Sequence, residues 1–241
     1  LDDPSSFDSA QEIREFMIEG LPLSSKPAMP IKIKDHLLST EFGHLKIREY
    51  CPDRTTSSSP ILYFHGGGYV LGGLDSHDSA LQFFAAEIGT NIFSLDYRLA
   101  PENKFPSSLQ DANFALEWLG KELNVPISEI SLCGDSAGGH LSASLSTYRA
   151  INKFELPLSQ CLIYPMTDPS CNSKSQFDFD SGFFLSQKAM IWFWEQLMDS
   201  SENLHDPAFN LTIDPKERLP KTLIITAGFD PLSDEGEAYA R

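Results

Sequence analysis

Ile130-Ser131-Leu132-Cys133-Gly134-Asp135-Ser136-Ala137-Gly138-Gly139-His140-Leu141 joins an apolar run to a helical one through a single tight turn. The first part, Ile130 to Cys133, reads as a buried strand, and the run from Gly139 onward reads as a helix. Between them stands G-x-S-x-G, residues 134 to 138. A serine at a sharp strand-to-helix turn is held in a strained backbone conformation that exposes its hydroxyl, while Gly134 and Gly138 let strand and helix approach. The following helix aims its first N–H groups at the place where negative charge would develop. Ser136 is therefore a candidate nucleophile. For the pentapeptide alone, a chance glycine-rich turn is the competing reading. The neighbouring Asp135 reads as a structural residue that caps the helix.

Outward from this turn the chain alternates strand-like and helix-like segments, the pattern of an α/β fold with a mostly parallel sheet covered on both faces. Pro30 to Leu38 and His44 to Tyr50 read as an opening pair of strands, and Ile61 to Phe64, Asn91 to Asp96, Gln160 to Tyr164 and Thr222 to Ala227 as further strands. Asp75 to Ile88 reads as a helix. A second helix from Ser107 carries Leu109, Ala112, Leu116, Leu119 and Leu123 at helical spacing and ends near Pro126. Two stretches fit less well and read as additions over the sheet: residues 1–29, an N-terminal cap segment, and 168–220, a loop-rich insert. The core is then 30–167 with 221–241. Within the insert a helix from Ser186 to about Met198 carries Ile191, Trp192, Phe193 and Trp194. That aromatic cluster has two readings, a cap lining an acyl pocket or a helix packed onto the sheet edge.

A second motif narrows the chemistry. His65-Gly66-Gly67-Gly68 directly follows the strand Ile61 to Phe64. Successive glycines let the backbone bend so that its N–H groups point inward, and Ala137, after the serine, supplies another. Gly66, Gly67 and Ala137 are the candidate oxyanion hole for an acyl-transfer intermediate, with His65 and Gly68 holding the loop in shape. A phosphate-binding loop is the rival. No Lys-Ser/Thr follows, however, and the next helix opens with Asp75 and Asp78, which would repel phosphate.

With both motifs in view, the sequence resembles the hormone-sensitive-lipase-like branch of the α/β-hydrolases. The resemblance runs on through Asp96-Tyr97-Arg98-Leu99-Ala100-Pro101-Glu102, Phe105-Pro106, Asp111-Ala112, Tyr164-Pro165 and Asp230-Pro231-Leu232-Ser233-Asp234-Glu235-Gly236, covering most of residues 30 to 241 in family order. It implies an α/β-hydrolase fold with a small cap, and a Ser, Asp, His triad in that chain order. Ser136 would be the nucleophile and Asp230, in the loop after a strand, the acid. The implied activity is hydrolysis of short- to medium-chain acyl esters through an acyl-enzyme, with a small-molecule ester as partner, and with neither cofactor nor metal.

The pattern is broken at the base. In this chain order the histidine follows Asp230, yet none of the six histidines does. His65 belongs to the glycine loop. His140 lies one turn into the helix after Ser136 and points away from the rim. His77 reads as a pocket or loop-anchoring residue, and His36, His44 and His205 as surface or strand positions without a partner in reach. Leu1 is no initiator Met and Ser233 to Arg241 reads as an unfinished helix, so the sequence reads as a fragment whose triad histidine lies beyond Arg241. The alternative is a receptor-like binding protein that kept the fold and lost the base.

Composition bounds the remaining options. A chain of 241 residues can bury roughly 70–75% of its unfolded surface. Its 18 Lys and Arg against 34 Asp and Glu give a formal charge of −16 with no basic tract, a poor match for nucleic acid or anionic membrane. No apolar run reaches the roughly 18–20 residues of a membrane span, and the acid-rich start does not read as a secretory signal. Cys51, Cys133, Cys161 and Cys171 lack C-x-x-C spacing and read as reduced, buried thiols. A cytoplasmic location follows as the expectation, and a homodimer is compatible with it.

Overall fold

The computed structural model describes residues 9–14, 31–57 and 59–241. Most of the expected N-terminal segment 1–29 lies outside them. Seven strands form one sheet: β1 (Ile31–Thr40), β2 (Gly43–Pro52), β3 (Ile61–Phe64), β4 (Ile92–Asp96), β5 (Ser131–Asp135), β6 (Ser159–Ile163) and β7 (Lys221–Ile225). Their order is β1-β2-β4-β3-β5-β6-β7. β1, β2 and β4 pair antiparallel; from β4 onward all pairs are parallel. The expected α/β class is what forms. Among the described residues, 10–14 are helical, and the helices that follow are α1 (Leu74–Ile88), α2 (Ser107–Leu123), α3 (Ala137–Ile151), α4 (Lys174–Asp178), α5 (Gln187–Leu197) and α6 (Ser233–Tyr239).

The apolar spacing read in α2 is realised as burial: Leu109, Ala112, Leu116 and Leu119 face the main core with Leu62, Phe64, Leu132 and Leu141. Asn124, in the left-handed conformation, ends the helix by donating to Gly120 O and Lys121 O. On the sheet's other face a smaller cluster gathers Tyr50, Tyr63, Leu81, Ala85 and Ile92, with α1 supplying the cover.

Strand order reverses at β3, whose neighbours are β4 on one side and β5 on the other. The loops leaving the carboxyl ends of β3 and β5 therefore diverge and open a crevice between them. Register fixes what meets there. Phe64 is paired with Gly134, so His65-Gly66-Gly67-Gly68 and Asp135-Ser136 leave the sheet side by side. Close approach is enforced by absent side chains: a Cβ on Gly138 would stand 1.9 Å from Phe64 O. Any larger residue would push α3 off β3.

The insert 168–220 covers this end of the sheet. Phe193 of α5 lies against Gly68, where a Cβ would meet its ring at 2.2 Å. Trp194 packs edge-on against His140 at 5.1 Å. The aromatic helix thus sits on the glycine loop and on α3, not on the sheet edge. Of the cysteines, Cys171 is buried, whereas Cys51, Cys133 and Cys161 are half-buried, which corrects the reading of all four as buried.

Candidate active site

Ser136 stands at the turn between β5 and α3 with φ 52° and ψ −116°, a combination that L-residues adopt only under strain. Two backbone contacts hold it there. Its N–H donates to Ile163 O at 2.8 Å, and its carbonyl accepts from His140 N at 3.0 Å. Its side chain is half-exposed and makes no hydrogen bond among the described residues.

Asp135 does not cap the helix. Its Oδ1 accepts from Tyr63 Oη at 2.7 Å and from Gly66 N at 2.9 Å, while Oδ2 faces His77 Nε2 at 3.3 Å. Burial pushes this carboxyl up, but the His77 and Tyr63 hydrogen bonds outweigh it and hold the group below its ordinary value. The physical reason for the correction is register: Tyr63 and Gly66 flank Phe64, the partner of Gly134. Asp135 is therefore an anchor for the glycine loop.

The same contact bears on the expected oxyanion donors. Gly66 N–H is already engaged by Asp135. Gly67 (φ 120°) and Gly68 (φ 60°) adopt left-handed conformations, and neither N–H has a hydrogen-bond acceptor among the described residues. Ala137, the first residue of α3, has no intrahelical acceptor for its N–H either. Among the described residues Gly67, Gly68 and Ala137 thus carry N–H groups without an acceptor, and Gly68, expected only to support the loop, shares this with Gly67. Gly67 O accepts from Val70 N and Leu71 N at 3.0 and 2.8 Å, which locks the loop's turn.

His65 is fully buried and stacked on Tyr97 at 4.3 Å. Its Nδ1 lies 2.8 Å from Gly66 O, an acceptor only, so Nδ1 carries the proton. Burial, helped by neighbouring His77, pushes this imidazole down to about 4. His140 is equally buried: Nε2 donates to Phe209 O at 2.8 Å and Nδ1 accepts from Tyr69 Oη at 2.6 Å. Burial takes it down to about 4 as well. With both nitrogens committed, His140 is structural. His36 has a partner after all, Glu49 Oε2 at 2.9 Å across the β1–β2 pair. No histidine bonds to Ser136 Oγ among the described residues.

Asp230 follows β7 in a turn, where its Oδ1 accepts from Leu232 N at 2.9 Å and its carbonyl from Ser233 N. Burial pushes its carboxyl above the ordinary value. Sequence reading passed over Glu235, five residues on. This buried carboxyl accepts from Thr167 N at 2.6 Å, Gln176 Nε2 at 3.1 Å and Asp168 N at 3.4 Å. It stitches the Asp230 turn to the loop after β6, whose Met166 N reaches Ser136 O at 3.4 Å. The only signal was its place between Asp230 and Gly236, in the stretch that carries the family resemblance, at the start of α6. A cavity of about 630 Å³ between α2 and Phe42 shares no residue with this crevice.

A strained serine at a strand-to-helix turn, beside free N–H groups at the switch point of a parallel sheet, defines a serine hydrolase of α/β type. Comparison with known proteins agrees. Residues 61–241 match the alpha/beta hydrolase fold family. An ethyl acetate hydrolase of Pseudomonas putida is 35% identical over 95% of this chain and 74% of its own. An arylesterase of Saccharolobus solfataricus is 33% identical over 95% and 76%. A hyperthermophilic esterase from Pyrobaculum calidifontis superposes with a TM-score of 0.88 at 32% identity, over 96% of this chain and 77% of that one. The chain belongs to the α/β-hydrolase family, in its hormone-sensitive-lipase-like carboxylesterase branch.

Proposed function

We propose that this protein hydrolyses carboxylic esters of short- to medium-chain acyl groups through an acyl-enzyme formed on Ser136. The observation that carries the reading is the half-exposed, positive-φ serine beside three N–H groups that have no partner of their own. Ser136 Oγ attacks the ester carbonyl. Gly67, Gly68 and Ala137 N–H receive the oxyanion, the alcohol leaves, and water then releases the acid. Relatives named for ethyl acetate and aryl esters support small substrates, as does Phe193 packed onto Gly68.

The imidazole that takes the serine proton is assigned to none of the six histidines. His65 and His140 are fully buried, His65 with its Nδ1 held by Gly66 O and His140 with both nitrogens bonded, and His77 is turned to Asp135. Asp230 is the carboxylate that would fix the tautomer of that imidazole. Relatives that hydrolyse esters favour this over a receptor-like role. Among the described residues no helix is long and apolar enough to cross a membrane, and a cytoplasmic site of action completes the reading. The test is p-nitrophenyl butyrate hydrolysis by the gene's whole product. Ser136→Ala is expected to lower kcat/KM about 10³-fold or more with the fold intact. Retention of more than a tenth of the activity would overturn the assignment.

A further inference from the structure

Cys133 on β5 and Cys161 on β6 are direct register partners in a parallel pair. Side chains of such partners project from the same face of the sheet. Neighbouring strands lie about 4.7–4.9 Å apart, inside the roughly 4.4–6.8 Å between Cα atoms that a disulfide spans. Both thiols are free and half-buried. One end of their row is sealed, since Cys133 packs against the buried cluster of Tyr63 and Leu81. At the other end the next partner of Cys161 is Leu223 on β7. Cys161 is the thiol of the pair that stands outside that cluster, with Cys133 directly beside it.

We propose that Cys133 and Cys161 form a modification site, a dithiol that a hydroperoxide closes into an interstrand disulfide. The Cys161 thiolate attacks the terminal peroxide oxygen, the O–O bond breaks, and Cys161 becomes a sulfenic acid as water or alcohol departs. The Cys133 sulfur then attacks the sulfenic sulfur. The S–O bond breaks, the S–S bond forms, and hydroxide leaves as water with the Cys133 proton. In all, two thiols lose two electrons and two protons, and the peroxide bond takes them up.

The electrostatics are in keeping with this order. The hydrogen bond from Cys133 draws the Cys161 thiol below its usual value, which raises its thiolate fraction, whereas that same bond, burial and Asp135 push Cys133 up. The remaining thiols lack this arrangement. Burial pushes Cys171 up to about 12, and burial with Glu49 raises Cys51 on the distant strand β2. The pair also sits close to the proposed chemistry, because Ser136 is three residues past Cys133 and its N–H is held by Ile163 O, two past Cys161.

The experiment needs no turnover. The 241-residue chain is treated with a modest excess of hydrogen peroxide under native conditions, denatured, alkylated and digested. The expected result is a fall from four titratable thiols to two, a mass lower by two hydrogens, a linked Cys133–Cys161 peptide, and full reversal by dithiothreitol. Cys133→Ser should instead stop at a Cys161 sulfenic acid that dimedone traps. Four free thiols in the wild type, a linkage between other cysteines, or a wild-type Cys161 that stops at sulfenic or sulfinic acid beside an unmodified Cys133 would overturn the proposal. The wild-type result decides the matter even where the serine variant fails to fold.

Discussion

Asp135 draws its hydrogen bonds from β3, from the loop after it and from α1, and so fixes which N–H groups remain free. Gly66 is taken, and Gly67 is the first donor left over. Its φ of 120° is a conformation in which a side chain is strained, and a Cβ would also stand 2.3 Å from Leu71 O. That oxygen is backbone and cannot step aside. Gly67→Val is therefore expected to lower the melting temperature and also to remove about 3–4 kcal/mol of transition-state stabilisation, appearing in kcat far more than in KM. Steady-state kinetics well below the melting point separates the two effects. A lowered melting temperature with unchanged kcat would make Gly67 scaffold only.

At the scale of elements, the turn from Asp230 into α6 is tied to β6 and α4 through the buried Glu235. Burial raises its carboxyl to about 8, although the Thr167, Gln176 and Asp168 donors oppose the rise. An unfolded glutamate ionises near 4.5. The folded state therefore holds the extra proton, and stability is lost as pH rises from that value through about 8. Glu235→Gln removes this titration. Gln176 can accommodate the change by turning its amide, since its buried Oε1 has no partner in the wild type. Urea unfolding from pH 6 to 9 should fall more steeply for the wild type than for the variant; parallel slopes would contradict the buried-acid account. Such ties are where sequence reading stopped. Strand and helix bounds came within about two residues for β3, β4 and α5, because local apolar spacing encodes them. The serine turn and the glycine loop were also legible, being contiguous and punctuated by glycine. The partners of Asp135, His36 and Glu235 were not, since each arises from register between segments far apart in sequence.

For the whole molecule, two fully buried neutral imidazoles, His65 and His140, set the acid limit. Each is pushed by burial from 6.5 to about 4. In the unfolded chain both take up protons below pH 6.5, while the folded chain refuses them until about pH 4. Stability is thus lost as pH falls through that window and levels off beneath it. The loss approaches about 3 kcal/mol for each histidine, against a typical total of about 5–15 kcal/mol. Urea unfolding should show a marked fall between pH 7 and 4.5. A flat profile there would mean that the two rings are not held neutral in the core that joins the glycine loop to α3 and the insert.

The central claim is that Ser136 is the group that attacks the acyl carbon, and a covalent trap reads this directly. The gene's whole product is incubated with an alkyl p-nitrophenyl phosphonate, whose phosphorus presents a tetrahedral centre to the nucleophile, and the digest is mapped by mass spectrometry. The account predicts one equivalent of nitrophenol released and one phosphonyl group, carried by the Ser136 peptide and lost in Ser136→Ala. Stoichiometric labelling of another residue, or labelling that survives in Ser136→Ala, would contradict it.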